Sequence, residues 1–133
     1  MPVRHCLAVD LDRTLAHHTR FTTEENIGQP IPAVVQRVQE AHRRKIPVYI
    51  FSARLAPQHG PDSIARSSVA IQKWCREHLG FVPLLTCIKL PIFTEIWDDR
   101  AVAVLANKGE GLTPNDGSLW DELEEVTDPE LPF

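Results

Sequence analysis

One stretch near the start constrains the fold most: Leu7-Ala8-Val9-Asp10-Leu11-Asp12-Arg13-Thr14-Leu15. A short continuous apolar run of this kind reads as a buried strand of a parallel sheet. It ends in two carboxylates one residue apart, with a hydroxyl two residues further on. Open α/β sheets bind ligands at the carboxyl ends of their strands. An extended strand would send Asp10 and Asp12 to opposite faces, so a bend just past Asp10 is needed to gather both around one site. Two acids held close repel. A divalent cation between them relieves that repulsion, and Mg²⁺ is commonly held by one or two carboxylates together with substrate phosphate.

The remaining chain alternates in the way such a sheet requires. Arg4 to Val9 is expected as the first strand. A polar loop from Ala16 to Pro30 carries His17 and His18, which are expected to be exposed, Arg20, and the turn-prone Gly28-Gln29-Pro30. Val34, Val35, Val38 and Ala41 recur at helical spacing from Ala33 to Arg44, after Pro32 at the first turn. Lys45-Ile46-Pro47 ends that helix. Val48-Tyr49-Ile50-Phe51 is a second strand, β-branched and aromatic. A second helix is expected from Asp62 or Ser63 as cap to about Leu79, burying Ile64, Val69, Ile71, Trp74 and Cys75, with Gly80 as the stop. Pro83 to Cys87 is a third strand. Ile92 to Trp97 is a fourth, followed by a helix over 101–107. Trp74, Trp97 and Phe51 read as core. This alternation predicts an α/β protein with a three-layer, doubly wound parallel sheet.

At 133 residues, 43% hydrophobic and 24% charged, the chain can bury a core and has ordinary soluble composition. No apolar run is long enough to cross a bilayer, so no membrane partner is expected. Met1-Pro2-Val3-Arg4-His5 does not read as a signal peptide. Cys6, Cys75 and Cys87 are odd in number and far apart, and read as reduced thiols of a cytoplasmic protein. The net charge of −4 conceals an asymmetry: residues 109–133 hold eight acids and no Lys or Arg, leaving +4 on residues 1–108. Residues 1–108 are therefore read as one catalytic domain. Residues 109–133 are read as an acidic tail, partly ordered or packed on it, with a short amphipathic helix expected over 119–126.

Four separated segments put polar groups at strand ends: Asp10, Asp12 and Thr14; Ser52 and Arg54; Lys89; and Asp98 with Asp99. In a parallel sheet these ends share one edge. Each residue also has an ordinary structural reading. Ser52 suits a turn or helix cap, Lys89 a solvated surface. Asp98-Asp99 suits the cap of a following helix. Arg54 suits either a substrate phosphate or a neighbouring acid.

Together, in this order, the segments resemble the motifs of the haloacid dehalogenase (HAD) superfamily of phosphohydrolases. Asp10-x-Asp12-x-Thr14 is similar to its first motif, Phe51-Ser52 to its second, Lys89 to its third and Ile96-Trp97-Asp98-Asp99 to its fourth. The match covers most of residues 4–108. The resemblance implies a Rossmann-like, HAD-type fold and a Mg²⁺-dependent phosphomonoester hydrolase. Asp10 would be the nucleophile that forms an aspartyl-phosphate, and Asp12 the acid and base. Asp10, Asp12 (through its carbonyl), Asp98 and Asp99 would hold Mg²⁺. Ser52 and Lys89 would bind phosphoryl oxygens, with Thr14 and Arg54 beside them and Thr14 chiefly bracing the loop. Arg13 departs from the family, which commonly has Gly there.

The intervals 16–48 and 55–88 leave no room for the cap domain that many such enzymes insert, so an open site and a large phosphorylated substrate are expected. The Ser52-x-Arg54 turn before a Trp-bearing helix and Asp98-Asp99-Arg100 are also similar to the phosphatase part of bacteriophage polynucleotide kinase; the same features, with Gly28-x-Pro30-Ile31-Pro32, resemble more closely small capless bacterial HAD proteins. A polynucleotide 3′-phosphatase activity therefore stands as an alternative, although +4 is weak support for nucleic acid. So do a phosphotransfer receiver and a silent binding protein on the same scaffold. A homo-oligomer remains open.

Overall fold

A computed structural model describes residues 4–111. Its first strand, β1 (Leu7–Asp10), is the apolar run itself, and Asp10 is the strand's last residue. β2 (Val48–Phe51) lies parallel beside it, β3 (Leu84–Thr86) lies outside β2, and β4 (Glu95–Trp97) pairs with the other side of β1. The order is β3-β2-β1-β4, all parallel. The strand that carries Asp10 is therefore central, and the strand that leads into Asp98 is its neighbour. β1 starts three residues later than the sequence suggests, and β4 starts at Glu95 rather than Ile92. At Thr94 a side chain enters the pairing: its hydroxyl accepts from Cys6 N at 2.9 Å, while Thr94 N donates to Cys6 O at 2.9 Å.

Two helices complete the described α/β arrangement, α1 (Pro32–Arg43) and α2 (Pro61–His78). α1 closes with Lys45 at φ 61° and Ile46 N bonded to Ala41 O at 2.9 Å. This is the left-handed cap that Gly more often supplies. α2 is capped at its start by Gly60 (φ 82°), with Pro61 in the first turn. Asp62 and Ser63, expected as caps, lie one and two positions inside the helix. Pro61 accounts for the shift, because its fixed φ suits the first helical position and its missing N–H costs nothing there. Ile71, Trp74 and Cys75 are buried as expected and Ile64 is half-buried, but Val69 is 66% exposed. Ser67, four residues before Ile71 on the same stripe, takes the inward place.

The core lies between one sheet face and these helices. Leu7, Val9, Val48 and Ile50 pack with Val38, Ala41, Ile71, Trp74, Cys75 and Leu79. The alternate residues share the other face. There Tyr49 meets Phe93 edge-on, while Leu84 is 63% and Ile96 39% exposed. The connection 87–94 that leads from β3 to β4 contains no helix. Burial pushes the Cys75 thiol up to about 12 and raises Cys6, so neither is a ready thiolate. No helix among the described residues is long and apolar enough to cross a membrane.

The chain divides after Asp99 into two compact units. Of the second, residues 100–111 are described, and they are exposed. The helix expected over 101–107 is absent. Instead Val104 pairs with Gly111 across a turn in which Asn107 (φ 61°) and Gly109 (φ 68°) are left-handed. Val102 and Val104 are β-branched at a spacing of two, which favours extended chain over helix. The helix expected over 119–126 falls outside the described residues.

Candidate functional site

The bend past Asp10 is a tight loop organised by one carbonyl. Leu11 O accepts from the backbone N–H groups of Thr14, Leu15 and Ala16 at 3.4, 3.0 and 2.8 Å, and Arg13 N donates to Ala16 O at 2.8 Å. Leu11, Leu15 and Ala16 are buried and anchor the loop to the core. The segment 28–31 then closes against it: His17 N donates to Gln29 O and Ile31 N to Leu15 O, each at 2.8 Å. Gly28 is required by this approach, because a Cβ there would run into the backbone carbonyl of His17. Trp74 Nε1 donates to Gly28 O at 2.9 Å, tying the closure to α2.

The loop separates the two acids of the motif. Asp10 joins Asp98 and Asp99: one carboxylate oxygen from each lies within 4.8 Å of the others. Thr14 clasps the group. Its hydroxyl accepts from Asp99 N at 3.1 Å and lies 3.3 Å from Asp10 Oδ2 and 3.4 Å from Asp99 Oδ1, to either of which it can donate. Asp98 and Asp99 cannot be caps, since no helix follows them. Burial first, then repulsion from Asp98, Asp99 and Asp12, pushes the Asp10 carboxyl from 3.8 up to about 7, against a smaller opposing pull from Thr14. Three acids crowd here, and Arg13 Nε meets one of them, 3.3 Å from Asp99 Oδ2. Three hard oxygen donors in that state fit a hard divalent cation, whose charge would reverse the shift.

Asp12 is placed quite differently. It is 4% exposed, and both its oxygens accept from Arg54, from Nε at 2.7 Å and Nη2 at 2.8 Å. His18 Nδ1 lies 3.3 Å from Asp12 Oδ1. Of the two partners the sequence leaves open for Arg54, the structure shows the acid. Arg54 is itself 2% exposed and also donates to Glu24 O and Asn26 O at 3.2 and 3.1 Å, so one side chain ties its own segment to two others. The Glu24 carboxylate in turn accepts from Ser63 at 2.9 Å and Arg66 at 3.0 Å on α2. His17 is exposed as expected, but the His18 side chain is only 4% exposed. Burial lowers its affinity for a proton, with Asp12 opposing. Nothing in a polar loop sequence distinguishes two adjacent histidines, one turned in and one turned out.

Ser52 follows β2, is 1% exposed, and accepts from Arg54 N at 3.2 Å as the cap of a short 3-10 turn, Ala53–Leu55. Lys89 lies three residues past β3 in the connection 87–94, is exposed, and makes no ion pair among the described residues. The structure thus gathers Asp10, Thr14, Asp98 and Asp99, sets Asp12, Arg54 and His18 apart in a buried group, gives Ser52 a capping contact and leaves Lys89 in solvent. Comparison of the chain with models of known families, with curated proteins and with solved structures gave no match.

Proposed function

We propose that the chain is a divalent-cation-dependent phosphomonoester hydrolase with Asp10 as nucleophile. The observation that carries this reading is the Asp10–Asp98–Asp99 cluster at the carboxyl ends of two adjacent parallel strands. The reading includes the HAD-type three-layer, doubly wound architecture, whose outer layer would cover the face of Tyr49, Leu84 and Ile96. Mg²⁺, held by Asp10, Asp98, Asp99 and the Asp12 carbonyl, would supply charge neutralisation for the nucleophile and the incoming phosphate. An Asp10 oxygen bonds to phosphorus as the phosphorus–alcohol bond breaks, and the leaving oxygen takes a proton. Water then attacks phosphorus, the bond to Asp10 breaks, and phosphate departs. Thr14 orients Asp10 and Asp99. Lys89 and Ser52 serve phosphoryl oxygens once substrate is bound.

The proton for the leaving oxygen is assigned to Asp12. That role needs Asp12 to loosen from Arg54 in the substrate complex, where catalytic hydrogen bonds tighten and rearrange. The same pair favours a second reading, a phosphotransfer receiver that takes phosphate on Asp10 and keeps it. Phosphate release from an aryl phosphate, measured with Mg²⁺ and with EDTA, tests the first reading. Release over many turnovers, lost in EDTA and in Asp98→Asn, is expected. One phosphate retained per chain would support the receiver, and release indifferent to both changes would refute a cation-dependent site. A 3′-phosphorylated oligonucleotide is the next substrate, to test the polynucleotide alternative.

A further inference from the structure

Arg13 holds a backbone position that favours glycine. Its φ is 73°, in the left-handed region that ordinary L-residues enter only at a cost. Such strain persists where the surrounding structure enforces it, and it clusters at functional sites. Here the loop enforces it through the Arg13 N to Ala16 O bond. The side chain is 52% exposed, and its Nε lies 3.3 Å from Asp99 Oδ2. The contrast with Arg54 is sharp: Arg54 grips Asp12 with two nitrogens at 1% side-chain exposure, whereas Arg13 meets Asp99 through one at the rim. Half-exposed, single-point pairs are weak and easily exchanged. Asp99 is also one of the three acids whose oxygens converge. A guanidinium and a cation therefore contend for the same carboxylate.

We propose that Arg13 is a tethered counter-ion of the acidic cluster: it neutralises Asp99 in the cation-free protein, yields Asp99 when a divalent cation binds, and then pairs with the substrate phosphate. The inference rests on reading the cluster as a cation-dependent phosphoryl site, and it adds a specificity-determining residue to that site. A guanidinium matches phosphate oxygens with a planar fork that Lys lacks. The exchange has a thermodynamic signature. Arg13 lowers affinity for the cation and raises affinity for the anion, so each ligand promotes the other, reciprocally.

The test is calorimetric titration of the full chain with Mg²⁺, then with inorganic phosphate at saturating Mg²⁺, in wild type, Arg13→Asn, Arg13→Lys and Asp98→Asn. Asn tolerates the left-handed region, so the loop is kept while the charge is removed. Thermal melts confirm that each variant is folded. Mg²⁺ is expected to bind Arg13→Asn about three- to fivefold more tightly than wild type, the size of a half-exposed ion pair. Phosphate is expected to bind the Mg²⁺-loaded Arg13→Asn roughly tenfold more weakly, as the loss of a charged hydrogen bond implies. Arg13→Lys should fall between. Mg²⁺ and phosphate binding unchanged in Arg13→Asn would overturn the role of Arg13 and leave the cation site standing. Absence of Mg²⁺ binding in wild type, or binding that survives in Asp98→Asn, would overturn the site and the role of Arg13 with it.

Discussion

Asp10 and Asp12 stand two residues apart in one short motif, yet their surroundings are opposite. Asp10 sits at the sheet edge with Asp98 and Asp99, partly open to solvent, and its carboxyl is pushed up to about 7. Asp12 is buried against Arg54 and His18. One region crowds three acids and meets one of them with a half-exposed Arg13; the other holds its acid in a buried, two-point grip. Crowding three acids costs electrostatic energy, and that arrangement suits a ligand that brings positive charge to them. A buried acid with both oxygens engaged by a guanidinium is held in place by that grip, and the proton transfer proposed for Asp12 requires the grip to loosen. The bend between Asp10 and Asp12, built on the Leu11 carbonyl, is what allows one motif to serve both ends.

The largest effect is expected from breaking the paired region. Arg54→Ala leaves the Asp12 carboxylate buried without its partner and frees the Glu24 and Asn26 carbonyls. A loss of about 3–5 kcal/mol is expected, read by chemical denaturation. The double variant Asp12→Leu with Arg54→Met should recover much of it, since apolar replacement of a whole buried pair is often nearly neutral. A single variant as stable as wild type would contradict the assignment.

The crowded region should respond in the opposite direction. Asp10 has a folded-state pKa above its ordinary 3.8. Its share of stability is thus fully present below pH 4 and is lost as pH rises through about 7. In the metal-free protein, Asp10→Asn is expected to melt above wild type at pH 8, by roughly 4–8 °C for a gain of 1 kcal/mol. The two should converge near pH 4. Saturating Mg²⁺ should narrow the gap at pH 8 by stabilising wild type alone. A gap that does not change with pH would show that charge crowding is not its cause.

The smallest effect belongs to the link across the acidic edge. Thr14→Val keeps shape but removes the hydroxyl that accepts from Asp99 N. It should cost about 1 kcal/mol and, by removing the pull on Asp10, move that carboxyl further upward. A pH profile of melting identical to wild type would remove Thr14 from the cluster's electrostatics.

Much of this was legible because period and position carried it. The runs Leu7–Val9 and Val48–Phe51 read as strands, the Val34–Ala41 stripe as a helix, and parallel strands put Asp10, Asp98 and Asp99 on one edge. Failures came where local choices were nearly balanced. Asp62 and Ser63 both cap helices well, but Pro61 already held the first turn. Ala101 to Asn107 contains helix formers, but Val102 and Val104 favour extended chain, and left-handed Asn107, with Gly109 just beyond, makes a turn. The partner of Arg54 was not legible, because Asp12 and Arg54 both lie just past the ends of paired strands, and strand position does not say whether the guanidinium turns to the acid or to a ligand.

The most direct measurement is phosphate release from an aryl phosphate in the presence of Mg²⁺, comparing wild type with Asp10→Asn. The account predicts Mg²⁺-dependent turnover in wild type and a fall of roughly a thousandfold or more in the variant, the scale expected when a nucleophile is removed. Equal release from the two proteins would contradict it, because Asp10 would then not be the group that meets the phosphate.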